Sequence, residues 1–179
     1  MNLLSYIPNI LTWMRILAIP FFIYLALAKS IACIWLYSIC AFTDALDGWL
    51  ARRWHIESVW GAFLDPIADK LLVHSGLVMV VYQSRSLLVS TCWVLMLLRD
   101  SYISWLRSTG QPIPVSSKAK IKSILLFVTT VVLLIAILYN SKLVFYFGIM
   151  LLSFSTYLSI GTFVSYLGKL SGKPDSLRE

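Results

Sequence analysis

The sequence predicts an all-α membrane protein with six transmembrane helices, and three observations carry that prediction. Hydrophobic residues make up 59% of the 179 residues and charged residues only 13%, about half the charged share of an ordinary soluble domain. Apolar runs of bilayer-spanning length recur along the chain with short polar breaks between them. Lysine and arginine crowd into alternate breaks. A mean hydropathy of +0.82 is more apolar surface than a soluble core of this length can hide, whereas a lipid bilayer solvates it.

The runs cover about Ile7 to Ala28, Ile31 to Ala51, Gly61 to Tyr82, Leu87 to Arg107, Ile121 to Tyr139 and Leu143 to Leu167. The chain length fits one integral-membrane domain over residues 1–179. The second loop, the fourth loop and the C-terminal tail hold Arg52, Arg53, Arg107, Lys118, Lys120, Lys122, Lys169, Lys173 and Arg178; the other side holds Lys29, Arg85 and Lys142. That bias of nine to three places both termini in the cytoplasm. Five or seven spans would spoil the alternation.

The net charge of +7 therefore lies where anionic lipid head groups meet the chain, and it does not indicate nucleic acid. The opening MNLLSYIPN lacks the basic n-region and cleavage site of a removable signal peptide. Cys33, Cys40 and Cys92 sit in apolar runs without paired or metal-ligand spacing and read as small core residues.

Carboxylates do not belong in such runs. Asp44, Asp47, Asp65, Asp69 and Asp100 lie within or at the edges of the spans, at about 2.5–3.5 kcal/mol each for a helix centre. Asp44 and Asp47 are spaced i,i+3 and Asp65 and Asp69 i,i+4, so each pair shares a helix face. The short loop between the second and third helices makes them antiparallel neighbours, with both pairs near the cytoplasmic end. Four converging carboxylates repel, so either some are protonated or cations bind between them. Hard oxygen ligands select Mg²⁺, Mn²⁺ or Ca²⁺ over Zn²⁺. Mg²⁺ usually shares its coordination with substrate phosphates, which points to a pyrophosphate-containing substrate.

The surroundings agree. Gly48 and Ala51 let a ligand approach the helix backbone. Arg52 can meet a phosphate with its planar fork. Gly61 opens the third helix, and Pro66 favours a local break that frees a carbonyl. The competing, purely structural account is a set of intramembrane salt bridges, such as Asp69 with Lys70 or Asp47 with Arg52.

The stretch Asp44-Ala-Leu-Asp47-Gly48-Trp-Leu-Ala51-Arg52, eight residues, then Gly61-Ala-Phe-Leu-Asp65-Pro-Ile-Ala-Asp69 resembles the signature D-x2-D-G-x2-A-R-x8-G-x3-D-x3-D of the CDP-alcohol phosphotransferase family. The resemblance implies that family's six-helix membrane fold across nearly the whole chain. It implies Asp44, Asp47, Asp65 and Asp69 as metal ligands for Mg²⁺ or Mn²⁺, with two ions. It implies Asp69 as the base, and a CDP-lipid site at Asn9, Thr12, Asp44, Gly48, Ala51, Arg52 and Gly61.

Outside the signature the chain resembles the bacterial phosphatidylglycerophosphate synthase branch of the family. Ile7-Pro8-Asn9-Ile-Leu11-Thr12-Trp-Met-Arg15 is similar to its I-P-N-x-L-T-x-x-R. Arg99-Asp100-Ser-Tyr-Ile-Ser104-Trp-Leu106-Arg107 is similar to its R-E-x-x-x-S-x-L-R, and Ala119-Lys120-Ile-Lys122-Ser123 to its G-K-x-K-T. This branch implies CDP-diacylglycerol and sn-glycerol 3-phosphate as partners, membrane lipids around them, and a bacterial inner membrane location with a cytoplasmic site. Arg15, Arg99, Arg107, Lys118, Lys120 and Lys122 would receive the anionic acceptor; positive-inside charge and snorkelling are the simpler account of the lysines. Asp100, Ala119 and Ser123 depart from the usual Glu, Gly and Thr, and an Arg-Asp pair also occurs in cardiolipin synthases of this fold, whose acceptor is phosphatidylglycerol.

A divalent-cation transporter is a further reading, but the acids cluster at one face with no polar path to the other. His55 and His74 read as isolated loop and helix-packing residues. Gly148, Gly161 and Gly168 read as helix-packing or bending positions that can support a homodimer.

Overall fold

A computed structural model of the chain describes residues 7–54, 59–108 and 117–171, with side chains described over 12–43, 67–106 and 123–164. Among these residues the order is α1 (Ile7–Leu27), α2 (Ala32–Trp54), α3 (Val59–Ser84), α4 (Leu87–Ser108), α5 (Ser117–Leu138) and α6 (Lys142–Ser171). The six helices follow the six apolar runs, because an apolar segment in lipid must satisfy its own backbone hydrogen bonds.

The differences lie where polar residues lengthen a helix. α5 begins at Ser117 rather than near Ile121. Lys118, Lys120 and Lys122 look like loop by hydropathy, yet lysine is a good helix former. α2 runs on through Arg52 and Arg53 for the same reason. α3 continues across Pro66 without interruption, so the expected local break is absorbed within the helix. Proline has no N–H, and the helix resumes beyond it, as α1 does beyond Pro20.

The joints are short. After α1 the amides of Lys29 and Ser30 donate to the carbonyls of Ala26 and Leu25, and after α5 the amides of Asn140 and Ser141 donate to those of Ile137 and Ala136. Both are Schellman closures, with Lys29 and Asn140 at φ values of 52° and 51°.

Two helices among the described residues are long and apolar enough to cross a membrane by length and composition, at Leu87–Leu106 and Lys142–Val164; Thr12–Leu27, Ala32–Thr43 and Ser123–Leu138 are shorter apolar stretches. The outer surface is apolar as well. Trp13, Leu17, Phe21 and Tyr24 form an exposed stripe on α1, and Tyr146, Phe147, Met150, Phe154 and Tyr157 form another on α6. Apolar exposure of this extent suits lipid and not water.

α5 and α6 pack most extensively; α1 lies against both α2 and α3, and α4 joins through α3 and α6. At the centre, the buried ring of Tyr37 on α2 lies 5.1 Å from that of Phe22 on α1 and is stacked 4.9 Å from Phe127 on α5. Gly76 on α3 admits this arrangement: a Cβ there would stand 2.7 Å from Thr130 Cγ2 and 2.8 Å from the Tyr37 ring and hydroxyl. At one end of the bundle Gln83 Nε2 donates to the Ala26 carbonyl at 2.8 Å, which ties the ends of α3 and α1.

Gly148 is a close-packing position too, since a Cβ there would meet Leu133 Cδ2 at 2.6 Å, whereas Gly161 has nothing within 4 Å. Cys33, Cys40 and Cys92 are buried free thiols.

Gly76→Ala is expected to destabilise the protein by about 1–3 kcal/mol, the usual cost of overpacking, while Gly161→Ala, with open space for its methyl group, is expected to be no less stable than wild type. Thermal melting in detergent checks the pair; equal melting of Gly76→Ala and wild type would show that Tyr37 and Thr130 can give way.

Candidate active site

The Phe22–Tyr37–Gly76 contact sets the register of α1, α2 and α3. Residue 44 lies seven positions beyond Tyr37, residue 69 seven before Gly76 and residue 15 seven before Phe22. Seven residues make two turns, about 10 Å along the axis, and return to nearly the same face. α2 and α3 run in opposite directions across the short 54–59 connection. α1 runs parallel to α3, as the Gln83–Ala26 bond requires. All three steps therefore lead the same way, and positions 15, 44 and 69 stand at one level. Positions 47 and 65 follow a turn closer to the connection.

Arg15 is only 2% exposed and Thr12, one turn away on the same face, 1%. A guanidinium is buried this deeply only when its charge is balanced, and Arg15 has an interaction partner. It lies within electrostatic reach of Cys40 on α2, and Asp69 within reach of Tyr37. Arg15 thus belongs at the level of the aspartates. Asp69 is half-buried on α3.

The side chains of Asn9, Asp44, Asp47, Gly48, Ala51, Arg52, Gly61 and Asp65 lie outside the described residues, although all eight positions are on α1, α2 or α3. So do the side chains of Arg107 on α4 and of Lys118, Lys120 and Lys122 on α5, and His55 lies outside them altogether. Among the described residues no group of three His, Cys, Asp or Glu side chains converges.

A second polar group adjoins this level. Lys70 Nζ on α3 donates to the Asp100 carbonyl of α4 at 3.2 Å and to Ser104 Oγ. Ser104 Oγ donates to the same carbonyl at 2.9 Å. One turn along, His74 Nε2 lies 3.6 Å from Asp100 Oδ2, and Arg99 NH1 donates to Asp100 Oδ1 at 2.7 Å. Arg99 NH2 reaches Thr162 Oγ1 on α6 at 3.5 Å.

His74 is therefore not the isolated packing residue expected, because α4 brings a carboxylate to it. The signal was present in the spacing: Lys70/His74 and Asp100/Ser104 are both i,i+4 polar pairs on consecutive apolar helices. Such pairs form matching stripes.

The model of the CDP-alcohol phosphatidyltransferase family matches residues 5–160. The chain belongs to that family. The chain is also 42% identical over 105 residues to curated CDP-diacylglycerol–glycerol-3-phosphate 3-phosphatidyltransferases of Escherichia coli strain K12 and Shigella flexneri serotype 5b strain 8401, over 56% of this chain and 58% of each relative. The chain thus spans little more than half the length of the curated relatives it matches. Members of the CDP-alcohol phosphatidyltransferase family generally use divalent metals.

Positions 44 and 69 share one level on α2 and α3, the level of the buried Arg15 on α1, and divalent metals favour oxygen ligands of the kind aspartate carries. A cavity of about 270 Å³ lined by Lys29, Gln83, Ser84, Asn140 and Lys142 lies at the opposite end of the bundle and takes no part in this site.

Arg15→Met is expected to lower stability by about 3–5 kcal/mol, the cost of breaking a buried charge pairing from one side. Arg15→Lys should recover part of it. Melting in detergent measures both; a wild-type melting temperature for Arg15→Met would remove Arg15 from the charge balance.

Proposed function

We propose that this chain transfers the phosphatidyl group of CDP-diacylglycerol to sn-glycerol 3-phosphate and releases CMP. The reading is supported chiefly by one observation: the register that sets positions 15, 44 and 69 at one level beneath a complete eight-position signature. The 42% identity to the named bacterial relatives supports the choice of acceptor.

Residues 1–179 act as one catalytic domain of six spans in a bacterial inner membrane, with both termini and the site in the cytoplasm. A reporter fused after Glu179 is then expected to be protected from external protease in intact cells, and cleavage there would reverse the topology. A homodimer packed through α6 belongs to the same reading.

Asp44, Asp47, Asp65 and Asp69 would hold two Mg²⁺ or Mn²⁺ ions, which when bound neutralise the diphosphate and stabilise the leaving CMP oxygen. The chain's own residues do the rest. Asn9, Thr12, Gly48, Ala51, Arg52 and Gly61 hold the cytidine diphosphate end while the acyl chains stay in the bilayer. Arg15, Arg99, Arg107, Lys118, Lys120 and Lys122 make the approach cationic for a soluble phosphate monoester. Asp69 takes the proton of the primary hydroxyl of glycerol 3-phosphate. The hydroxyl oxygen bonds to the lipid-bearing phosphorus, the bond from that phosphorus to the CMP oxygen breaks, and a phosphodiester remains.

CMP release by purified protein with CDP-diacylglycerol and Mg²⁺ or Mn²⁺ tests this reading. Release with glycerol 3-phosphate and not with phosphatidylglycerol is expected. The reverse would make the protein a cardiolipin synthase, and metal flux without CMP release would make it a transporter. Asp69→Asn is expected to lower kcat by at least about 100-fold, the lower range for a lost general base, with CDP-lipid binding retained. Full activity in that variant would remove Asp69 from the mechanism.

A further inference from the structure

The group formed by His74, Arg99, Asp100 and Thr162 spans three helices and has a use beyond packing. Adjacent residues on a helix point about 100° apart and do not ordinarily pair. Arg99 nonetheless donates NH1 to Asp100 Oδ1 at 2.7 Å, so its guanidinium is drawn sideways along α4. NH2 reaches Thr162 of α6 at 3.5 Å, which is a weak bond. Arg99 Nε is buried and has no hydrogen-bond partner, and the same holds for His74 Nδ1. Buried polar atoms are nearly always paired. Arg99 is thus held on one side by a strong charge-assisted bond and keeps donor capacity for a further acceptor.

What holds Asp100 decides where Arg99 points. Its Oδ2 faces His74 Nε2 at 3.6 Å, and both side chains are about 15% exposed. That distance is too long for a hydrogen bond but close for an electrostatic contact shielded from water. The Asp100 backbone is anchored separately, its carbonyl taking Lys70 Nζ at 3.2 Å and Ser104 Oγ at 2.9 Å. An aspartate is one methylene shorter than the glutamate that the resemblance leads one to expect at this position. The imidazole of His74, reaching from α3, stands beside that shorter carboxylate.

We propose that His74 is a positioning residue: it fixes the Asp100 carboxylate, which in turn aims Arg99, and thereby sets affinity for the anionic acceptor. This rests on the reading of Arg99 as an acceptor-phosphate ligand. The contacts predict a selective defect. His74 faces Asp100 and Asp100 holds Arg99, so the loss of His74 should be felt at Arg99 and its acceptor before it is felt by the CDP-lipid.

The test is steady-state CMP release with both substrates varied, in Arg99→Gln, His74→Leu and His74→Gln. Leucine nearly matches the volume of histidine without a polar atom; glutamine returns an N–H to the place of Nε2. His74→Leu is expected to raise KM for glycerol 3-phosphate about tenfold, on the scale of a misplaced binding group. Its kcat and its KM for CDP-diacylglycerol should stay within about twofold of wild type. His74→Gln should recover most of the lost affinity, and Arg99→Gln should raise the acceptor KM further than His74→Leu.

If Arg99→Gln raises the acceptor KM while His74→Leu leaves it unchanged, the positioning role is refuted and the acceptor site stands. A proportional loss toward both substrates in His74→Leu, unrelieved by glutamine, would make His74 merely structural and also refute it. If Arg99→Gln is silent, the acceptor reading of Arg99 falls, and the positioning role falls with it.

Discussion

Gly76 lets the Tyr37 ring and Thr130 lie directly against the α3 backbone, and that close approach sets how α2, α3 and α5 slide past one another. A slip of α3 by one turn would move Asp69 about 5 Å along the axis and out of level with Asp44 and Arg15. It would also put a side chain where only a glycine fits beside Tyr37. Steric exclusion at the middle of the bundle thus specifies electrostatics nearer one of its ends. Tight interiors transmit such constraints because they have few alternative packings.

The same register organises two kinds of polar group in an otherwise apolar bundle. On the α1–α2–α3 side it sets positions 44 and 69 at the level of a buried arginine, with positions 47 and 65 a turn beyond. On the α3–α4–α6 side it assembles Lys70, His74, Arg99 and Asp100 one helix face away. Lys70 directly follows Asp69, so α3 carries both groups on adjacent faces. In the proposed reaction those groups serve different partners, a metal-bound diphosphate and a soluble phosphate monoester, which must meet at one phosphorus. One rigid helix carrying both is a simple way to hold them at fixed separation.

Much of this was legible in the sequence because lipid imposes strong rules on it. Apolar runs reported the six helices, and the polar residues within them marked the stretches where helices meet. The start of α5 at Ser117 was not legible, since hydropathy sees Lys118, Lys120 and Lys122 as polar while the backbone sees good helix formers. Nor was the role of Gly76, which has no motif and acquires meaning only from Tyr37 and Thr130 on other helices. His74 looked solitary because its partner lies 26 residues away on α4. Arg15 showed in the sequence as a cation inside an apolar run, but its burial at the aspartate level follows from a register that one helix alone cannot reveal.

The central claim, that the helix register builds a divalent-metal site between α2 and α3, is tested most directly by anomalous diffraction from crystals grown with Mn²⁺. The account predicts density between the two helices, two turns from the Tyr37–Gly76 contact toward the 54–59 connection, within about 2.0–2.3 Å of aspartate oxygens. Mn²⁺ found elsewhere, or α2 and α3 offset by a turn so that positions 44 and 69 no longer share a level, would contradict it.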